Sequence, residues 1–230
     1  MKRLLQILSA CALVVSGAQA QEPKEIDGAH LMSLVDTCKA ITKLGAGAAT
    51  PDLSGVGLSV RETTYDTLVE LVSNAFRSRY GNISDQNIIS PTEYGQRVAL
   101  SMTNSYQPEN PQLWSGNAFS GDGIAMAHVF SRPLPQSGDT IIERGHCEIY
   151  AKGWLSPVAS EHLARSAFDG SPRCRTRNDE NWSLVACENS GHPLDIAVDV
   201  EVFEPVTDGE GVSFPATVKL RLNHEAMVSS

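Results

Sequence analysis

Six histidines and five cysteines are the side chains of this 230-residue chain with most to offer chemistry. His146 and Cys147 are neighbours, the pairing that activates a thiol nucleophile when the imidazole reaches the sulfur. On a strand, however, successive side chains point to opposite faces. Cys147 shares parity with Ile141, Ile149 and Ala151, whereas His146 shares it with Arg144, Glu148 and Lys152. The two form no dyad unless Gly145 opens a bulge, so a disulfide for Cys147 and a solvated face for His146 are expected. His128 keeps company with Ile124, Met126 and Phe130, which predicts burial, and a buried imidazole has a perturbed pKa. Asp122, just upstream in Ser120-Gly121-Asp122-Gly123, is its candidate partner if the chain is a hydrolase with a dispersed acid-base site. A buried histidine bonded to backbone is the expectation set against that rival.

Nothing else rises to a signature. Ser120-Gly121-Asp122-Gly123 lacks both the lysine of a phosphate loop and the glycine spacing of a dinucleotide fold. There is no Gly-x-Ser-x-Gly elbow and no Cys-x-x-Cys. His30, His128, His146, His162, His192 and His224 are scattered, without the spacing of a zinc helix. Asp179-Glu180 and Asp208-Gly209-Glu210 lack the ligand alternation of a calcium loop. No catalytic, cofactor-binding or metal-ligating residue is therefore assigned. Arg173, Arg175 and Arg177 alternate and would give a basic strand edge, read first as protection against aggregation and second as a seat for an anionic partner.

The elements that would carry these residues begin with helices. Leu31, Leu34, Val35, Cys38 and Ile41 recur at helical spacing, predicting a helix over 29–44 between a cap at Asp27 and a stop at Gly45, with Cys38 inward. A loop is expected over 45–57. Leu68, Leu71, Val72, Ala75 and Phe76 predict a second helix over 65–80, with Arg77 and Arg79 favourably placed in its last turn. Ser90-Pro91-Thr92-Glu93 reads as the cap, first-turn proline and capping-box acid of a third, although 97–102 could be a strand. Pro108, Pro111, Gly116, Gly121 and Gly123 predict a long irregular loop over about 107–123, the expected place for a binding surface.

Strands dominate the remainder. Residues 124–130 read as a strand covered on both faces, and 140–154 as a broken strand or hairpin. Ser156-Pro157 opens a short helix to Phe168, and 173–177 with 183–187 fold back about Glu180-Asn181. Residues 194–202 and 214–222 alternate apolar with polar, predicting a half-exposed hairpin about Asp208-Gly209 with Asp199 opposite Lys219 and Val198 opposite Leu220. The fold class is therefore α+β, with N-terminal helices followed by a mainly antiparallel sheet.

Compartment follows from the N-terminus and the cysteines. Lys2 and Arg3, an apolar run over 4–15 and Ala18-Gln19-Ala20 read as a signal peptide over 1–20, cleaved to leave Gln21. Leu8-Ser9-Ala10-Cys11 offers a minor lipoprotein reading, with Cys11 acylated, against which the apolar run continues past Cys11. The run is about a dozen residues, short of the roughly 20 that cross a bilayer, so no transmembrane segment is expected. Cys38, Cys147, Cys174 and Cys187 then remain, an even set that reads as two disulfides, with Cys38–Cys147 and Cys174–Cys187 the favoured pairing and one pair of buried free thiols the alternative. Cleavage removes Lys2 and Arg3 but no acid, taking the net charge from −9 to −11, which sets nucleic acid aside as a partner. The expectation is a signal peptide followed by one α+β domain over 21–230: a periplasmic or secreted, soluble, disulfide-stabilised binding or accessory protein. Its partner is an unidentified protein or small molecule, and no cofactor is implied.

Overall fold

The computed structural model describes residues 24–42, 51–80, 89–104, 114–131, 141–189, 196–207, 209 and 211–228. The leader over 1–20, Cys11 and the stop at Gly45 lie outside them. Helix α1 (Gly28–Thr42) buries Leu31, Leu34, Val35, Cys38 and Ile41, the stripe its spacing predicts. The Asp27 carboxylate accepts from the Ala29 amide at 2.9 Å and caps it. Helix α2 (Thr64–Tyr80) buries Leu68, Leu71, Val72 and Ala75. Helix α3 (Pro91–Asn104) starts where the capping motif predicts, with the Glu93 amide donating to Ser90 Oγ at 3.2 Å, and it runs through 97–102, so the strand alternative there is wrong.

The loop expected over 107–123 is corrected. Residues 107–113 lie outside the described set, but Trp114–Gly121 is strand β1, paired residue for residue with β2 (Ile124–Ser131). The glycines and the two-residue turn explain the misreading: Gly123 takes φ +69° in the tight turn, and at Gly121 a Cβ would come within 2.5 Å of the Gly57 carbonyl oxygen, so that glycine serves close packing and not a loop. Strand β3 (Ile141–Lys152) is likewise one unbroken strand of 12 residues, neither broken nor a hairpin. Gly145 makes no bulge in it, pairing in step with Phe130 and His224. The glycine is needed because the end of α1 presses on it: a Cβ there would lie 2.9 Å from that of Thr42.

Helix α4 (Pro157–Ser166) follows, capped by Ser156 Oγ accepting from the Ala159 amide at 3.1 Å. The remaining strands are β4 (Arg173–Asp179), β5 (Trp182–Glu188), β6 (Ala197–Phe203), the short pair β7 (Val206–Thr207) and β8 (Ser213–Phe214), and β9 (Thr217–Val228). Seven of them form one antiparallel sheet in the order β1-β2-β3-β9-β6-β5-β4. The β6–β9 pair exists as expected, but its register is shifted by two: Asp199 faces Arg221, Glu201 faces Lys219 and Val198 faces Leu222. An even shift leaves every side chain on its own face, so alternation could not detect it. The β7–β8 ladder, with Val206 opposite Phe214, carries the same register towards the turn.

One face of the sheet is dry. Cys147, Ile149, Val198, Val200, Leu220 and Leu222 pack there against α1 and α4, each aliphatic side chain contributing about 1.5–3 kcal/mol on full burial. Both expected disulfides are formed. Cys38–Cys147 bolts α1 to β3 across 109 residues, and Cys174–Cys187 links the β4–β5 hairpin across 13. Two bridges fit an oxidising compartment outside the cytosol. No described helix is long and apolar enough to cross a membrane.

Candidate functional site

The opposite face is where α2 and α3 lie, packed through Leu68, Leu71, Val72 and Ala99 onto Ala125 and Tyr150. Strand alternation delivers to this face His146, Glu148 and Tyr150 of β3, Asp199 and Glu201 of β6, Lys219, Arg221 and Asn223 of β9, and Trp182 of β5. Strand alternation by itself puts these charges on a wet face. Instead the two helices roof part of it, and Glu148 and Glu201 are only 6 % and 8 % exposed. Charges withdrawn from water must be paired, and the register supplies the pairs.

Glu148 is the hub. Its Oε1 accepts from Arg221 Nε at 3.0 Å and lies 3.2 Å from His146 Nε2 and 3.7 Å from Lys219 Nζ. Its Oε2 accepts from the Tyr150 hydroxyl at 3.1 Å. Burial pushes the carboxyl up, but the hydrogen bond from His146 and the charges of Lys219, His146 and Arg221 outweigh it and hold the pKa at about 2. Burial and the same carboxylate push Tyr150 well above its ordinary value, so it stays a phenol and a donor. His146 keeps about a third of its side chain exposed (35 %), close to the expected solvated position, and reaches from Glu148 to Asn223, with Nδ1 2.6 Å from Oδ1. Glu201 makes a second node, accepting from Trp182 Nε1 at 3.0 Å and Arg79 Nη1 at 3.2 Å. Lys219 joins the nodes, 3.5 Å from Glu201 Oε1.

Above this floor is a cavity of about 790 Å³. Tyr94, Val98, Ser101 and Met102 of α3 form one wall, and Ala127, Ala197 and the polar groups around Glu148 form the rest. Arg144, a lining residue whose side chain is mostly exposed, pairs with Glu225 at 2.9 Å. The position of α3 depends on Gly95, where a Cβ would meet Ser73 and come within 2.7 Å of the Val69 carbonyl oxygen of α2.

The chemistry available is restricted. A carboxylate titrating at about 2 with both oxygens engaged is neither a general base nor a general acid near neutrality. Tyr150 is turned to Glu148 as a hydrogen-bond donor. Among the described residues no three His, Cys, Asp or Glu side chains gather as a metal would need. What the arrangement supplies is a rigid polar floor under a partly apolar cavity.

The residues singled out from sequence go elsewhere. His128 is buried, 5 % exposed, opposite Cys147 on the dry face and away from the cavity. Its Nε2 has no hydrogen-bond partner among the described residues, so the expected bond to backbone is not seen at that atom. Burial, with the charge of His146 adding to it, lowers its pKa to about 4. Asp122 is exposed in the β1–β2 turn, six residues along the strand from His128, roughly 20 Å at the strand rise. The acid-base pair of the hydrolase rival is not assembled. Arg173, Arg175 and Arg177 lie on edge strand β4, exposed, with Arg177 5.4 Å from the Trp182 ring.

The floor residues were missed because alternation marks a polar face without saying what covers it. The available signal was charge of both signs at matching parity on three strands, beside two helices whose apolar stripes needed a surface to cover. No protein-family model matches the chain, and no curated protein or solved structure is significantly similar to it.

Proposed function

We propose that this chain is an exported, soluble binding protein of a bacterial cell envelope that holds a small molecule in the cavity between α3 and the sheet. The observation that carries the reading is the cavity itself. About 790 Å³ suits a drug-sized ligand, and a few fixed polar groups among Val98, Met102, Ala127 and Ala197 are the usual make-up of a binding pocket. The saturated state of Glu148 favours holding over turnover. The two disulfides and the leader-like N-terminus support export.

Native mass spectrometry of the protein recovered from the periplasm or medium of an export-competent host tests this. The expected species begins at Gln21, carries two disulfides and releases a bound small molecule on collision. Met102→Trp, which puts a bulkier ring into the cavity wall, should weaken or abolish that adduct. A chain that still begins at Met1 with all five cysteines as free thiols, or one that turns over a generic ester or peptidoglycan, would overturn the proposal.

A further inference from the structure

Resting on that reading, we infer that the cavity selects a small amphipathic anion, an oxyanion head attached to an apolar body. The chain as a whole is acidic, with a formal net charge of −9, yet the charged side chains lining this cavity are three cations, Arg144, Lys219 and Arg221, against two anions, Glu148 and Glu225. With Glu201, 3.5 Å from Lys219, the balance is three against three, so the site is locally neutral where the chain as a whole is acidic. Hydrogen-bond capacity then favours the anion. Both oxygens of Glu148 are engaged by Arg221, His146, Lys219 and Tyr150, and Glu225 is paired with Arg144. An entering cation would find its best acceptors occupied.

An entering oxyanion meets the reverse situation. Arg221 gives Nε to Glu148, which leaves the two Nη groups of the fork for another partner, and a guanidinium fork matches a carboxylate or phosphate. Lys219, between Glu148 and Glu201, is held with its side chain 15 % exposed. Two cations fixed in advance by buried carboxylates bind an anion without first being ordered. The apolar body then has Val98 and Met102 on one wall and Ala127 and Ala197 on the floor.

The test uses four probes of one shape: phenylacetate, phenyl phosphate, phenethylamine and phenethyl alcohol. Titration calorimetry gives the affinities, and amide shifts of Ala127 and Asn223 place the binding. Phenylacetate, phenyl phosphate or both should bind at least ~10-fold more tightly than the amine and the alcohol, weakening with salt. Preference for one acid over the other identifies the head group. Arg221→Gln should lose that selectivity, and Arg221→Lys should retain part of it, a comparison that stands even if Arg221→Gln fails to fold. Equal binding of the amine or the alcohol at the same amides, weakened or abolished by Met102→Trp, would sink the anion inference while leaving a binding cavity. Binding of the acids unchanged in Arg221→Gln, or of none of the four probes to the folded wild type, would also sink it. The adduct experiment above decides separately whether the cavity holds any ligand.

Discussion

Replacing Glu148 with Gln keeps the shape of the hub and removes its charge. The largely buried Lys219 and the partly exposed Arg221 then lose the buried carboxylate that neutralises them. The carboxyl titrates at about 2 in the fold and at 4.5 ordinarily. At 1.36 kcal/mol per unit that difference is worth about 3 kcal/mol above pH 4.5, at the low end of the ~3–5 kcal/mol for removing one partner of a buried pair. For a chain of this size Glu148→Gln should lower the melting temperature by roughly 6–12 °C. The pH dependence carries its own sign. Because the folded pKa is depressed, the stabilisation is complete above pH 4.5 and disappears as pH falls through about 2. Urea denaturation of wild type and variant should therefore differ by a constant amount above pH 5 and converge towards pH 2. Adding Arg221→Met should cost less than the sum of the two single changes, since it removes the orphaned cation. A Glu148→Gln protein within about 0.5 kcal/mol of wild type at pH 7, or a difference indifferent to acid, would refute the claim that this carboxylate organises the floor.

Three further outcomes follow from the packing. His128 is held neutral, at about 4 instead of 6.5, so the unfolded chain takes up its proton first and stability falls between pH 6.5 and 4 by up to about 3 kcal/mol; urea midpoints at pH 7, 5 and 4 should show that limb missing from His128→Phe. Mild reductant followed by alkylation and mass analysis of the native protein should open Cys174–Cys187 first, because Cys174 is partly exposed while Cys38 and Cys147 are fully buried. Deleting the 109-residue link should then cost about 5 kcal/mol against about 3 for the 13-residue one, read from denaturation of the two double-serine variants. Gly95→Ala drives a methyl into Ser73 and the α2 backbone, and thermal unfolding should report a loss of about 1–3 kcal/mol together with weakened probe binding as α3 shifts.

Local pattern carried a good part of this fold. The inward stripe of α1, the caps at Asp27, Ser90 and Ser156, and the side of the sheet on which Cys147 and His146 each lie all follow from short-range periodicity and capping chemistry, which neighbouring residues determine. The disulfide pairing was legible for the same reason, since Cys38 and Cys147 each lay on an apolar face and Cys174 fell opposite Cys187 in a hairpin. Glycine content misled at β1, where a sheet partner stabilised a segment whose own composition favoured a loop.

The site was decided by distance in the chain. Arg79 and Glu201 are separated by 122 positions, Glu148 and Arg221 by 73, and nothing local links them. The sequence by itself determined which residues share a face, because a strand's period is two. Only the tertiary structure decided that α2 and α3 would roof the polar face, and that β6 and β9 would pair Asp199 with Arg221 instead of Lys219. Those choices converted an apparently solvated row of charges into an interlocked floor around two buried carboxylates, because removing water leaves a charge no partner except another side chain.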